Sequence, residues 1–427
     1  MKKYIVLTLF FNILQFCLAQ NLYFPPVNGS EWETISPQDL NWCSESIDSL
    51  YQFLEVNNSK AFILLKDGKI VLEQYFNNFN TSSVWYWASA GKSLTAFLVG
   101  IAQQEHFFTI HDTTSQYLGN GWTACSTDQE EKITIRHQLT MTTGLDDDVV
   151  DPNCTDDSCL IFKAEAGTRW AYHNAPYTLL DQLIETATGV TLNQFTTQKL
   201  KNITGMTGLF VPSGYNNVFY SNARSMARFG LLILNKGVWN TTPILTDTNY
   251  YNAMVNTSQS LNLSYGYLWW LNGKSSFMFP QSQFVFPGFM APDAPSDMIA
   301  ALGKNGQFIN VIPSLNMVWI RLGDSPESTD VSFLLNNQIW TYINRLSCEE
   351  SIDNFSNTIQ WYPNPTQNII KINHQVEKIM VYDATGTLLS THYESDYIDL
   401  TRFPDGIYFI KTIYNEKNYI NKVVKIN

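Results

Sequence analysis

The spacing of apolar residues changes late in the chain, and this change constrains the fold more than any other feature of the sequence. Up to about residue 354, strand-like runs such as 61–65 and 69–72 alternate with helical patterns such as the apolar face of 94–101. After a polar stretch at 349–358, only short β-like runs remain. We therefore predict an α/β (α+β) domain, with a sheet flanked by helices, followed by a small β-sandwich.

The length and composition allow a large folded core but argue against nucleic acid as a partner. The chain has 427 residues, of which 44% are hydrophobic, and its formal net charge is −12. Proteins that bind nucleic acid concentrate Lys and Arg to displace the counterions of the phosphates. The excess of acidic residues predicts that nucleic acid is not a partner.

The first residues have the pattern of a secretory signal peptide. Lys2 and Lys3 precede an apolar run, and Ala19 marks a cleavage site. The alternative is a membrane anchor, but the run is shorter than the roughly 20 residues that span a bilayer. We predict that residues 1–19 are removed, that no stable membrane span is present, and that the protein is exported through the periplasm, to be secreted or displayed on the cell surface.

Removing Cys17 with the signal leaves an odd number of cysteines in a compartment where disulfides persist. Cys154 and Cys159 flank a short Asp-rich loop and are predicted to pair locally. A bridge between Cys43 and Cys348 would join the two ends of the larger domain, and at least one thiol is left free. The histidines are scattered without metal-binding spacing, so we predict neither a metal nor another cofactor.

Ser89 and Lys92 are three residues apart at the start of an apolar helix, so one turn brings the amine beside the hydroxyl. A serine hydroxyl is a weak nucleophile until a base removes its proton, and a desolvated lysine is able to do so. The backbone N–H of Ser89, near a helix N-terminus, would face an oxyanion. The alternative is that Ser89 caps the helix and Lys92 is surface charge.

A second candidate motif, Tyr172-His173-Asn174, follows at a distance of 83 residues from Ser89. The phenol of Tyr172 would relay protons to a leaving group, and Asn174 would orient the substrate. Tyr-x-Asn is common by chance, and the alternative is a core tyrosine followed by a turn asparagine. His173 would either tune the pH dependence or point away from the cleft.

Taken together and in order, these residues resemble the serine β-lactamase and penicillin-binding-protein family, near its class C β-lactamase, esterase and 6-aminohexanoate-oligomer-hydrolase branch. The segments 133–145, 220–230 and 265–270 are similar to later parts of that family, and the resemblance covers most of 45–345. It implies a β-lactamase/transpeptidase-like fold, with an antiparallel sheet and an all-helical subdomain. It also implies that Ser89 and Lys92 form the family's Ser-x-x-Lys motif, and that Tyr172 and Asn174 form its Tyr-x-Asn motif.

The family's third motif, usually Lys-Thr-Gly on the strand that lines the site, is placed at Lys304-Asn305-Gly306. Asn305 replaces the threonine that helps to hold a drug carboxylate, which weakens the expectation of penicillin recognition. Gly306 would let a substrate carbonyl approach, and the N–H of Gln307 would be a second oxyanion donor. The alternative is a turn with a surface lysine.

The last part of the chain resembles the C-terminal sorting domain of the type IX secretion system. Three short motifs occur in the expected order, Tyr362-Pro363-Asn364-Pro365, Tyr382-Asp383-Ala384-Thr385-Gly386 and Gly406-Ile407-Tyr408-Phe409. The resemblance implies that residues 361–427 are an address read by the secretion machinery, after a linker at 351–360. The alternative is an adhesive or carbohydrate-binding sandwich.

The sequence thus predicts an exported serine hydrolase, with its catalytic domain at 20–350, that cleaves an ester or amide of a small molecule or short peptide through an acyl-enzyme on Ser89. One alternative is a β-lactamase or D-Ala-directed peptidase on the same scaffold. A second is a surface-binding protein that has kept the fold without the activity.

Overall fold

The structure, a computed structural model, describes residues 22–325, 331–348, 359, 361–384, 386–414 and 417–426. The predicted signal peptide at 1–19 lies outside the described residues, as does the predicted linker apart from Ile359. The chain separates into two compact units, one that ends at Cys348 and one formed by the residues after it.

The first unit contains helices and strands in a mixed order. Its helices are α1 (Ser44–Val56), α2 (Gly91–Gln104), α3 (Ser115–Leu118), α4 (Thr127–Glu130), α5 (Ile135–Leu139), α6 (Asn174–Thr188), α7 (Leu192–Thr196), α8 (Asn202–Thr204), α9 (Ala223–Leu234), α10 (Thr248–Met254) and α11 (Phe333–Ile343). Its strands are β1 (Ser59–Lys66), β2 (Lys69–Tyr75), β3 (Val84–Tyr86), β4 (Leu209–Ser213), β5 (Asn216–Asn222), β6 (Val238–Trp239), β7 (Thr242–Pro243), β8 (Trp270–Leu271), β9 (Ser276–Phe277), β10 (Phe286–Pro287), β11 (Ile299–Gly303), β12 (Gln307–Ile312) and β13 (Met317–Gly323).

A six-stranded antiparallel sheet in the order β2-β1-β13-β12-β11-β8 forms the centre of this unit. The predicted hairpin joins β1 to β2 through Asp67 and Gly68. Gly68 has φ +82, and a β carbon there would lie 2.0 Å from the Tyr23 carbonyl oxygen, so this turn requires glycine. Strands β12, β13 and β1 are buried along almost their whole length, because helices pack against them.

Two groups of helices surround the sheet. Helix α9 packs against β13, β12 and β1, and α1 pairs with α11. Helix α2, whose residues from Gly91 to Ala102 are all buried, packs against α6, and α6 in turn contacts α3, α5 and α7. The predicted antiparallel sheet with flanking helices and a helical subdomain is therefore confirmed. No helix among the described residues is both long and apolar enough to cross a bilayer.

Both predicted disulfides are formed. Cys43, immediately before α1, is bonded to Cys348, which follows α11, so the bridge joins the two ends of the first unit. Cys154 and Cys159 close a short loop. Cys125 keeps a free thiol, and burial raises its pKa.

The second unit is the small β domain that the sequence predicts. Its strands are β14 (Trp361–Tyr362), β15 (Ile369–Tyr382), β16 (Leu388–Asp399), β17 (Gly406–Tyr414) and β18 (Lys417–Lys425). They form one antiparallel sheet, in which β15 pairs with β16 along one edge and with β14 and β17 along the other. The described residues thus make a single curled sheet around Ile370, Val381 and Ile410 and form no second sheet of a sandwich.

Candidate active site

The candidate nucleophile lies at a sharp turn between β3 and α2. β3 pairs with β5, and the Trp87 indole N–H donates to Ser221 Oγ at 2.8 Å, which holds the turn against β5. Ala88 has φ 47, in the left-handed region that residues other than glycine rarely adopt. The backbone strain at Ala88 directly precedes Ser89, and such strain is frequent where a side chain must be presented for function.

Lys92 lies one turn after Ser89 and faces it. Lys92 Nζ donates to Ser89 Oγ at 3.0 Å, and the lysine is only 4% exposed. Its nitrogen lies 4.2 Å from the ring centre of Tyr177 and 5.2 Å from that of Tyr172. A buried amine at hydrogen-bond distance from a serine is the geometry that a nucleophile and its base require.

The ring of Tyr172 is held by a cluster of buried aromatic side chains. Trp270 stacks on it with ring centres 5.7 Å apart, and Tyr265 meets it edge-on at 6.3 Å. Trp170 and Tyr265 each pack edge to face against Trp270 as well. This packing gives the phenol a fixed position at the wall of the cleft.

A cleft of about 700 Å³ opens over Ser89. It brings together five of the residues that the sequence singles out, Ser89, Lys92, Tyr172, Asn174 and Lys304. A second depression, of about 730 Å³, lies beyond the C-terminal end of α2 and contains none of these residues. The first cleft has a volume suited to a small molecule or a short peptide segment.

Asn174 is the first residue of α6, and its amide N–H donates to Asn153 Oδ1 at 2.9 Å. Asn153 directly precedes the loop closed by Cys154 and Cys159, and Pro152 and Asn153 both line the cleft. The local disulfide therefore closes a loop that borders the cleft.

Gly306 and Gln307 do not line the cleft, in contrast to the sequence-based expectation. The Gln307 side chain is fully buried, and its amide exchanges hydrogen bonds with the backbone of Gly323. Arg321 donates to the Gly306 carbonyl at 2.8 Å, and a β carbon on Gly306 would lie 2.3 Å from Arg321 Nη1. Position 306 therefore requires glycine, because a side chain there would collide with Arg321. The side chain of Asn305 donates a hydrogen bond to the Tyr86 hydroxyl.

Gly303 is the glycine whose backbone packs against the turn that carries Ser89. It ends β11, and a β carbon on it would lie 3.1 Å from the Ser89 nitrogen and 2.6 Å from the Trp87 carbonyl oxygen. The sequence analysis did not select Gly303, which lies three residues before Gly306. Lys304, the next residue, reaches the cleft from the end of this strand.

His173 lies behind the cleft wall and does not line it. It is 2% exposed, and neither ring nitrogen has a hydrogen-bond partner among the described residues. Burial lowers the pKa of His173 to about 4, although the carboxylates of Asp147 and Asp146 oppose this shift. The ring is therefore neutral at physiological pH.

Three residues that the sequence analysis did not select belong to the site, Tyr177, Asp181 and Asn217. Tyr177 is buried beside Lys92 at the cleft, and burial raises its pKa well above the usual value. Burial also raises the pKa of Asp181 to about 7. Tyr177 and Asp181 follow Asn174 by three and seven residues, so their helical spacing is the signal that would have identified them.

Consecutive carboxylates lie beside the cleft. The oxygens of Asp146, Asp147 and Asp148 are within 4.8 Å of one another, and the last two residues line the cleft. Lys163 contacts both Asp146 and Asp148, and Arg169 lies 2.6 Å from Asp147. The two cations balance much of the negative charge, so this cluster is a salt-bridge network.

The fold and the cleft define the β-lactamase and transpeptidase class of serine hydrolases. The chain belongs to the Beta-lactamase family, whose model matches residues 58–331. Residues 360–427 match the model described as a secretion system C-terminal sorting domain, which indicates type IX secretion to the cell surface or the medium and contact with the secretion machinery. Both resemblances seen in the sequence are thereby confirmed. A comparison with curated proteins finds no match.

Solved structures share the fold at low sequence identity. A candidate 6-aminohexanoate-dimer hydrolase from Bacillus anthracis is 19% identical, with a TM-score of 0.57, over 75% of this chain and 89% of its own. A penicillin-binding protein homologue from Caulobacter crescentus is 11% identical, with a TM-score of 0.56, over 71% and 98%. A family VIII carboxylesterase is 12% identical, with a TM-score of 0.54, over 71% and 98%.

Proposed function

We propose that this protein is an exported serine hydrolase that cleaves an ester or an amide through a covalent acyl-enzyme on Ser89. The observation that carries the proposal is the 3.0 Å contact between Lys92 Nζ and Ser89 Oγ at the floor of the cleft. Family membership supports the chemistry, since acyl-enzyme formation on serine is general in this family. The substrate class is a small molecule or a short peptide, in keeping with the cleft volume.

In the proposed reaction, neutral Lys92 takes the proton of Ser89 as Oγ forms a bond to the substrate carbonyl carbon. The bond to the leaving group then breaks, and Tyr172 passes a proton to that group while it takes up the proton that Lys92 removed from Ser89. Water attacks the acyl-enzyme, the acid is released and Ser89 regains its proton. The backbone N–H of Ser89, in the turn that leads into α2, favours the negative charge that develops on the carbonyl oxygen.

The proposal is tested with a fluorophosphonate probe, which labels a serine only when its hydroxyl is activated. We expect one label, on Ser89, and turnover of p-nitrophenyl acetate. Ser89→Ala should abolish the label and lower turnover by about 10⁴-fold or more. Lys92→Met should lower the labelling rate by about 10²-fold or more, because the base is lost.

Ser93→Ala is the matched control. Ser93 lies one turn further along α2 and donates to the Leu268 carbonyl, away from the cleft. This variant should be labelled like the wild type. Persistent turnover by Ser89→Ala, or a wild type that takes no label, would contradict the proposal, and the latter result would favour a surface-binding protein without activity.

A β-lactamase or D-Ala-directed peptidase is the second candidate, because the family model is that of β-lactamases. The side chain of Asn305, at the position that the sequence analysis assigned to the carboxylate-binding threonine, donates to Tyr86. We therefore place esters and open-chain amides first. Comparison of nitrocefin with p-nitrophenyl acetate distinguishes the two candidates.

A further inference from the structure

Asn217 is held at the cleft by a buried carboxylate that the proposed reaction does not use. Its amide N–H donates to Asp181 Oδ2 at 3.1 Å, while the other oxygen of Asp181 accepts from Thr95 at 3.4 Å. Asp181 is 5% exposed. Because the Asn217 N–H donates to Asp181, the nitrogen end of the amide faces this carboxyl group and the oxygen end faces away from it.

The opposite end of the same amide is left as an acceptor. Asn217 lines the cleft, and its Oδ1 is buried without a hydrogen-bond partner among the described residues. The side chain of Asn174 is arranged in the same way. Its N–H donates to Asn153, and its Oδ1 has no hydrogen-bond partner among the described residues. A buried acceptor without a partner is costly, and a substrate that supplies a donor removes the cost.

We propose that Asn217 determines substrate specificity by accepting a hydrogen bond from an amide N–H of the substrate, and that Asp181 positions it for this role. The inference rests on the proposed hydrolase function and narrows it. The substrate class is one that carries a secondary amide at or next to the scissile bond, as short peptides and N-acylated amino acid derivatives do.

The chemistry of the cleft wall is consistent with such a ligand. The residues that line it include several carboxamides besides Asn217, namely Asn153, Asn174, Asn216 and Gln281. Carboxamides match the donors and acceptors of a peptide group, whereas a plain alkyl ester offers no N–H. A site built to bind a substrate N–H discriminates strongly against an analogue that lacks it.

Two pairs of chromogenic substrates test the proposal, each pair differing only in N–H against N–CH₃. The first pair is the p-nitrophenyl esters of N-acetylglycine and N-acetylsarcosine, with the amide on the acyl side. The second is p-nitroacetanilide and its N-methyl derivative, in which the N–H or N–CH₃ belongs to the scissile amide itself. The measured quantity is the loss of kcat/KM from wild type to Asn217→Ala, so intrinsic reactivity cancels within each compound.

We expect Asn217→Ala to lower kcat/KM tenfold or more for the N–H member of at least one pair, and less than threefold for its N-methyl partner. Equal losses for both members of both pairs, or no loss at all, would overturn the proposal. Asn252→Ala is the control, because Asn252 is an exposed residue of α10. It should change kcat/KM for neither pair of substrates.

Fluorophosphonate labelling of Ser89 separates this inference from the proposed function. If Asn217→Ala is labelled at the wild-type rate, the catalytic groups are folded and the substrate results refer to specificity alone. If the wild type is neither labelled nor active on any of the four compounds, the proposed function fails first. Asp181→Asn should give a smaller loss that is again confined to the N–H member, because the Asn217 amide is then free to turn.

Discussion

The backbone of Gly303 packs directly against the backbone of Ser89, so closely that a β carbon on Gly303 would lie 3.1 Å from the Ser89 nitrogen. The same atom would lie 2.9 Å from the nitrogen of Ala90. Gly303 has φ −127 and ψ 160, an extended conformation that any residue adopts. The requirement for glycine is therefore steric, and it joins the end of β11 to the nucleophile turn.

Gly303→Ala should consequently damage the site more than the fold. The added methyl displaces the turn that carries Ser89, and we expect fluorophosphonate labelling to fall by about 10²-fold, since misplacement by about 1 Å has that effect. The free energy of unfolding should fall by about 1–3 kcal/mol, the usual cost of overpacking. Labelling kinetics and urea denaturation measure the two effects.

Gly91→Ala is the control for this prediction. Gly91 is the first residue of α2, and a β carbon on it would meet its nearest neighbour at 3.6 Å, an ordinary contact. The variant should be labelled normally and be as stable as the wild type. Normal labelling of Gly303→Ala would show that the two backbones do not meet as described.

Asp181 should make the protein less stable as the pH rises. Burial raises its pKa to about 7 in the folded protein, from about 4 in the unfolded chain. The folded state then binds the proton more tightly, so stability is fully present below pH 4 and is lost as the pH rises towards 7. The loss is at most about 4 kcal/mol.

Asp181→Asn removes this titration while nearly preserving the shape of the side chain. Relative to the wild type, the variant should become more stable as the pH is raised from 4 to 7. Urea denaturation of both proteins at pH 4.5, 6 and 7.5 gives the difference. A difference that stays constant over this range would mean that Asp181 titrates normally.

His173 should make the protein less stable as the pH falls, which is the opposite of the effect of Asp181. Burial lowers its pKa to about 4, so the folded protein keeps the ring neutral while the unfolded chain takes up a proton near pH 6.5. This contribution to stability is present above pH 6.5 and is lost as the pH falls to 4. The wild type should lose up to about 3 kcal/mol by this route.

His173→Leu lacks the ionisable ring and should not show that loss. The same denaturation series at pH 4.5, 6 and 7.5 applies, with the difference between the proteins now growing towards low pH. If both proteins lose stability equally at low pH, the His173 ring contacts water or a hydrogen-bond acceptor.

The sequence predicts the local features of the site well, because short-range geometry determines them. Three residues in a helix bring Lys92 to Ser89 in any context, and the hairpin at Asp67-Gly68 follows from its turn residues. The bridge between Cys43 and Cys348 required only that the ends of the first unit meet.

The third motif shows where sequence reasoning stops. Gly303 and Gly306 are three residues apart, and the spacing does not say which of them meets the nucleophile. The answer depends on where β11 ends and on Arg321, a distant residue of β13 whose guanidinium binds the Gly306 carbonyl. Asp181 was overlooked for a similar reason, because only the packing of α6 against α2 and β5 buries it.

The two disulfides should separate stability from activity. The Cys43–Cys348 bridge spans 305 residues and the Cys154–Cys159 bridge spans five. In the chain-entropy model their contributions to stability are about 5–6 and about 2 kcal/mol, respectively. Replacing Cys43 and Cys348 by serine should therefore lower the melting temperature strongly while leaving kcat/KM unchanged at a temperature where the variant is folded.

Replacing Cys154 and Cys159 by serine should affect kcat/KM more than the melting temperature. This bridge closes the loop that follows Asn153, whose side chain holds Asn174 at the cleft. We expect a small drop in melting temperature and a several-fold drop in kcat/KM, because Asn174 loses its fixed partner. Thermal denaturation and ester hydrolysis of both double variants measure the two profiles. If this double variant loses only stability, the loop does not position Asn174. The position of Asn174 Oδ1 at the cleft is then fixed by the start of α6 alone.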